Sequence, residues 1–254
     1  MSPTTVLVTG AGRGIGSGFI ATLLLRPSST VIAAVRDPSK ASARALQDLP
    51  KGEGSKLIIV KIDSSIKTDP AEAVSILQRD HDINALDVVI ANAGIAHSSG
   101  PVIKTSTAAI KDHFAVNTIG PLLLFQAIAP LLKASNSGRP VFIAVTSMLG
   151  TISGMESLEN LPPALSPYGS SKAALNWFIR RLHFEETWLT SFVVHPGTVA
   201  TDMVHSVIEG TDLKLEDLGA ITVESVFKIM GRIDTASRDI SGTFQNYDGT
   251  HLPW

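Results

Sequence analysis

Short runs of β-branched and aliphatic residues alternate with longer stretches of helical spacing along almost the whole chain. Val6–Thr9, Val31–Val35, Leu57–Ile62, Val88–Ala91, Val141–Thr146 and Phe192–His195 are nearly continuous apolar runs. Such runs mark strands covered on both faces, as in a parallel sheet. Between them the spacing predicts helices over Ile15–Leu25, Pro38–Leu49, Pro70–Asp82, Thr107–Lys133 (broken near Pro121) and Tyr168–Thr187. Thr201–Asp234 is less regular and predicts one or two more helices, and Phe244–Tyr247 adds a last strand. Strand–helix alternation of this kind predicts βαβ units in an α/β, doubly wound parallel sheet flanked by helices. No internal repeat, low-complexity tract or linker divides the chain, so residues 1–254 are read as a single domain.

Composition narrows the function without naming it. Apolar residues make up 44% and charged residues 17%, which suits a well-buried sheet. A net charge of −2 gives no reason to expect nucleic acid or an anionic membrane as partner. There is no cysteine, hence neither disulfide nor thiolate chemistry. The amino terminus runs directly into a strand, and apolar runs such as Gly120–Phe125 fall far short of a ~20-residue membrane span. A soluble, cytoplasmic protein is the expectation. The seven histidines show no metal-ligand spacing, and no G-x-S-x-G elbow points to a hydrolase.

The chemistry lies in a few short motifs. Tyr168 and Lys172 stand four apart on one predicted helix, so their Cβ atoms lie on one face about 5–6 Å apart. A cation beside a phenol favours the phenolate and brings proton exchange with a substrate oxygen within reach. Gly10, Gly14 and Gly16, with Ile15 between the last two, join the first strand to the first helix. Glycines there allow a tight turn and close approach of backbone to a pyrophosphate at the helix amino terminus. Asn92-Ala93-Gly94 follows a mid-chain strand, and Ser147 follows another. Together these residues resemble the short-chain dehydrogenase/reductase family, over essentially all 254 positions. The G-x-x-x-G-x-G spacing matches that family rather than the more widespread G-x-G-x-x-G. The resemblance implies a single Rossmann-type domain.

Cofactor choice is read at the end of the second strand. Arg36 stands there, 20 positions after Gly16, where an NAD site usually has an acid for the ribose. With Arg13 in the glycine turn it suits a 2′-phosphate, so NADP(H) is expected. Asp37 argues the other way as an acid, but it also reads as a helix N-cap with Pro38 in the first turn, and the capping role is preferred. By resemblance Asp63 meets the adenine amino group, though it too reads as a cap. Asn92, Ala93 and Gly94 match the family's stretch that supports the cofactor, with Ala91 replacing its more usual asparagine. The same resemblance places Val199 and Thr201 beside the nicotinamide carboxamide. It also implies that Ser147 bonds the substrate oxygen, that Tyr168 and Lys172 serve both cofactor and chemistry, and that Asn117 holds a helix kink and a proton relay.

These parts imply hydride transfer at a carbonyl carbon, in the reducing direction for NADPH. A dinucleotide-binding sensor without catalysis is the competing reading; epimerases and dehydratases of the superfamily usually carry a different glycine motif and a longer carboxyl-terminal domain. Ser147 and Tyr168 are further apart in sequence than is common in the family. The intervening 148–167 stretch, with Met148, Leu149, Ile152, Met155, Leu158, Leu161 and Leu165, is expected to wall the pocket, and 201–234 to lie on the substrate side. The ending Phe244–Trp254 resembles the subgroup of sniffer-type carbonyl reductases and fungal norsolorinic-acid-type ketoreductases, which points to a small-molecule carbonyl substrate, a polyketide or another bulky apolar ketone. Trp177, Phe178, Ile179 and Leu182 read as core or as the face of a homo-oligomer.

Overall fold

A computed structural model describes residues 4–97, 101–159, 165–208 and 224–254. In chain order the elements are β1 (Thr4–Thr9), α1 (Gly14–Leu24), β2 (Ser29–Val35), the short α2 (Ala41–Arg44), β3 (Lys56–Lys61), α3 (Asp69–His81) and β4 (Val88–Ala91). They continue with α4 (Thr107–Phe114), α5 (Gly120–Lys133), β5 (Val141–Val145), α6 (Ser166–Glu185), β6 (Thr190–His195), α7 (Asp202–Ile208), α8 (Glu224–Asp234) and β7 (Phe244–Asn246). The strands form one sheet in the order β3-β2-β1-β4-β5-β6-β7, and every neighbouring pair is parallel. The winding reverses between β1 and β4, so the carboxyl ends of those strands flank a crevice.

Alternation along each strand divides the core in two. Leu7, Ile32, Phe142 and Val193 pack under α3, α5 and α6, against Leu77, Ile128 and Ile179. Val6, Val8, Ile143 and Phe192 face the other way, onto Phe19 and Ile20 of α1 and Val226 and Ile229 of α8. Burial on both faces explains why the strands read as unbroken apolar runs.

Three sequence expectations change. The helix expected over Pro38–Leu49 is a single α-turn followed by a 3₁₀ turn at Ala45–Asp48. The Asp37 carboxylate accepts from the amide (2.9 Å) and hydroxyl (2.6 Å) of Ser39, closing a local turn, and Lys40 takes the N-cap position instead. The break expected near Pro121 is a π-helical turn at Ala115–Ile119, just ahead of it. Pro121 has no N–H to give to residue 117 and crowds its carbonyl, and the wider turn absorbs both effects. Residues 107–133 thereby form one apolar helical run of 27 residues, long enough by length and composition to cross a membrane. Half of its apolar window is buried against the sheet, as for a core helix. Thirdly, the α6 residues divide: Ile179 and Leu182 are core, while Trp177 is exposed and Phe178 half-buried. Part of the irregular 201–234 region, residues 209–223, lies outside the described residues, as does Leu161.

Candidate active site

A cavity of about 1040 Å³ runs along the carboxyl edge of the sheet. Its lining follows the strand order, from Arg36 after β2 and Gly10 after β1, past Asn92–Ala96 after β4, to Ser147 after β5 and His195–Thr201 after β6.

The glycine turn is sterically committed. Gly10 has φ of +64° and a Cβ there would sit 2.8 Å from the Ala93 Cα, while a Cβ on Gly16 would collide with the Gly10 carbonyl. The turn delivers Gly14 to the start of α1. Arg13 at its N-cap makes no side-chain cap, and the first turn of α1 holds no acid. Its leading amides are thus left for an anion. Thr201 closes from the other side, its Cγ2 3.2 Å from where a Gly14 Cβ would lie. Ile15, Val199 and Thr201 all line the cavity.

The loop after β4 is pinned at both ends. The Thr9 hydroxyl accepts from the amides of Asn92 and Ala93, each at 3.1 Å, and Asn92 returns an Nδ2 bond to the Thr9 carbonyl at 3.0 Å. Two residues on, Asn117 takes the Ile95 amide at 2.8 Å and donates to the Ile95 carbonyl at 2.9 Å. Asn117 also donates to Ser171 Oγ at 3.0 Å, and Ser171 Oγ donates to the Tyr168 carbonyl at 2.7 Å. The π turn, the Asn92–Gly94 loop and α6 are locked into one frame. One turn before Asn117, buried His113 accepts from the His97 amide at 3.4 Å and stands edge-on to the Tyr168 ring.

Ser147 and Tyr168 come together as expected: both line the cavity, and the Ser147 hydroxyl lies close enough to act on the Tyr168 phenol. Burial pushes the Tyr168 phenol up to about 12, and the Ser147 hydroxyl offsets only part of this. The expectation that Lys172 would depress Tyr168 is therefore corrected. The Lys172 ammonium is 5.8 Å from the tyrosine ring centre and donates to the Val145 carbonyl at 2.8 Å. Desolvation, which disfavours either charged form, wins over a cation at that distance. The same burial lowers Lys172 to about 8. His195, which also lines the cavity, is lowered by burial to about 4 and is neutral at working pH.

At the other end Arg36 is exposed and forms no ion pair among the described residues. Arg13 pairs with Asp202 at 3.2 Å, but both side chains are largely exposed. Such a pair is worth at most about 1 kcal/mol. Asp63 lines the cavity and is also a turn cap, accepting from the Ser65 amide and hydroxyl. Burial raises its carboxyl, yet those two bonds, with Arg36 and Lys61 nearby, leave it net below the usual range. Lys40 and Ser42 share this end of the cavity. The sequence hid them because the region reads as ordinary helix. The roles of Thr9 and Ser171 were equally hidden, although Thr9 ends the first strand run and Ser171 lies between Tyr168 and Lys172.

The wall segment is half corrected. Met148, Leu149, Leu158 and Leu165 line the cavity, whereas Ile152 and Met155 are 65% and 52% exposed and turned away. Two 3₁₀ turns, Met148–Gly150 and Met155–Leu158, carry the wall, and each presents only part of its apolar side inward.

The model of the short chain dehydrogenase family matches residues 4–212. The chain belongs to the short-chain dehydrogenase family. It is accordingly an oxidoreductase of the group acting on carbonyl and hydroxyl carbons. Among its relatives is a norsolorinic acid ketoreductase of Dothistroma septosporum, 46% identical over 254 residues, covering 99% of this chain and 92% of that one. A norsolorinic acid ketoreductase of Emericella nidulans is 43% identical, covering 99% and 94%. Among solved structures, the NADPH-bound carbonyl reductase from chicken fatty liver superposes with a TM-score of 0.85 at 30% identity over the full length of both chains. The carbonyl reductase Sniffer of D. melanogaster gives 0.82 at 29% identity, covering 99% and 100%.

Proposed function

We propose that this protein is an NADP(H)-dependent reductase of an apolar ketone of polyketide type. The observation that carries the reading is the convergence of Ser147, Tyr168 and Lys172 on the same cavity that holds Arg36 and the glycine turn. The cradle fits a dinucleotide: glycines where a Cβ would block approach, an acid-free helix start, and cationic side chains at the end of β2. Arg36, Arg13 and Lys40 would hold a 2′-phosphate, with Arg13 exchanging its exposed Asp202 partner for a dianion. Asp63 would meet the adenine, the Asn92–Gly94 loop would support the ribose side, and Val199 and Thr201 would flank the nicotinamide.

The bound dinucleotide supplies the hydride. Ser147 and Tyr168 would grip the carbonyl oxygen, stabilise the charge developing on it, and pass it the Tyr168 proton. A phenol near 12 keeps its proton at neutral pH, as a donor must. Lys172, buried behind it, would bond the nicotinamide ribose and support the returning phenol proton. Both ends of the Asn117 side chain are already bonded to Ile95 and Ser171, so a relay through that residue is assigned to its backbone carbonyl. Leu149, Leu158 and Leu165 would give the substrate an apolar wall. We also assign a cytoplasmic location, and the exposed Trp177 and Phe184 as a face for self-association. The test is consumption of NADPH against a panel of flat aromatic and small aliphatic ketones, with alcohol product identified.

A further inference from the structure

The carboxyl-terminal residues do more than close the sheet. After β7 the chain turns at Asn246–Thr250, where Asn246 N donates to Thr250 O at 2.8 Å and Gly249 takes φ of +92°. It then returns antiparallel, Gln245 bridging His251 and Leu252 N donating to Phe244 O at 2.8 Å. The next two residues leave the sheet and meet the middle of the wall segment. Ser153 donates to the Trp254 oxygen from both its amide (2.7 Å) and its hydroxyl (2.5 Å), and the buried Thr151 hydroxyl donates to the Pro253 oxygen at 2.9 Å. The fit is tight enough that a Cβ on Gly154 would come within 2.9 Å of the Pro253 ring. The Trp254 ring is itself fixed, 5.7 Å from the buried Phe244 ring and with the Arg180 guanidinium of α6 at 5.0 Å.

We infer that Pro253 and Trp254 form a strap that positions the cavity wall and so determines which ketones fit, although neither residue lines the cavity. Between residues 148 and 159 the wall enters the cavity twice, at Met148–Leu149 and at Ser157–Leu158. The residues held by the strap, 151–154, lie between those two entries. The wall there is built of 3₁₀ turns, which lack the long hydrogen-bond ladder that stiffens an α-helix. Its placement therefore depends on what grips its midpoint. On one side the strap is anchored to the sheet edge through Phe244, on the other to the helix that carries Tyr168 and Lys172. It sets the distance between Leu158 and the reacting hydroxyls without touching either. A bulky substrate that fills the space up to Leu158 senses that distance; a small one held by Ser147 and Tyr168 does not.

This inference rests on the proposed ketone reduction, and its test separates the two. The variants are removal of residues 253–254, and Thr151→Val/Ser153→Ala, which cuts the side-chain bonds from the wall side and leaves the Trp254 ring in place. Amide hydrogen exchange reads the strap directly: the Ser153 amide should lose protection in the shortened chain while the α6 amides keep theirs. Steady-state kinetics reads the consequence: KM for a bulky aromatic ketone should rise about tenfold in both variants, with kcat, KM for a small aliphatic ketone and NADPH affinity within about twofold of wild type. Combining the two changes should add little, since both cut one contact. Unchanged Ser153 protection in the shortened chain overturns the strap. Lost protection with no change in bulky-ketone KM overturns its role in specificity, as does an equal loss for both ketones and for NADPH. A wild-type protein that reduces no carbonyl sinks the proposed function instead, and the exchange measurement still decides whether the strap holds the wall.

Discussion

Lys172 donates its ammonium to the carbonyl of Val145 at 2.8 Å, tying the helix that carries Tyr168 to the last residue of β5. That single bond replaces the hydration of a charge that is 97% buried, and it does not replace it fully, for burial lowers Lys172 to about 8. The cation assigned above to the nicotinamide ribose therefore titrates close to working pH.

The expected consequence is an alkaline weakening of cofactor binding. NADPH affinity, measured by fluorescence titration, should fall as pH rises through about 8 in the wild type, because Lys172 is cationic below that value and neutral above it. Lys172→Met should bind more weakly throughout and lose this step. The same midpoint in Lys172→Met would place the titration elsewhere.

Acid should act through His195. Burial lowers its imidazole from 6.5 to about 4, and Nδ1 has no hydrogen-bond partner among the described residues. A depressed folded pKa means that its stabilising contribution is complete above pH 6.5 and is lost as pH falls towards and through 4, where the folded chain must take up a proton it resists. At about 1.4 kcal/mol per unit, that is about 3 kcal/mol. Urea unfolding at several pH values should show a decline over this window that His195→Asn flattens, whatever that change costs in packing. An unaltered slope in the variant means other groups drive acid unfolding.

Arg36→Asp should weaken NADPH much more than NADH, since it replaces attraction to a 2′-phosphate by repulsion. Loss of one charge-assisted bond is worth about 1.5–3 kcal/mol, roughly 10–150-fold in Kd, before repulsion is added. Equal loss of both dinucleotides, or a wild type that prefers NADH, contradicts the role assigned to Arg36.

Within the wall, neighbours in sequence should behave differently. Leu158→Ser should raise KM for bulky ketones because Leu158 lines the cavity, whereas Met155→Ser should leave it within about twofold because Met155 faces solvent. Equal responses from the two would remove the inward-facing assignment.

How much of this was legible in the sequence follows from where each signal resides. The strands were readable because burial on both faces leaves a continuous apolar run, and the glycine turn because Gly10 and Gly16 leave no room for a Cβ. Ser147, Tyr168, Lys172, Asn117 and the Asn92–Gly94 loop converge because each follows a strand or sits on a helix whose place in the sheet is fixed by topology. What was not legible depends on contacts distant in sequence. The Asp37 turn looked like a helix cap because a carboxylate two residues before a hydroxyl serves either purpose. The inward and outward sides of residues 148–158 have no period to read, since the 3₁₀ turns are too short to set one. The protonation of Tyr168 misled for a related reason: spacing places Lys172 on the same face, but only packing sets how far burial outweighs the charge. The grip of Pro253 and Trp254 on that wall joins residues about a hundred positions apart.

The most direct test of ketone reduction centred on Tyr168 is the rate of NADPH consumption by Tyr168→Phe beside the wild type. A flat aromatic ketone is the substrate, and the cofactor Kd of both proteins is measured in parallel. Phenylalanine keeps the ring against His113 and removes only the hydroxyl, so the fold and NADPH binding should be retained while kcat drops by about 10²–10⁴-fold. A Tyr168→Phe protein that reduces the ketone at near wild-type kcat contradicts the account. So does a wild type that binds NADPH tightly and reduces no carbonyl offered to it.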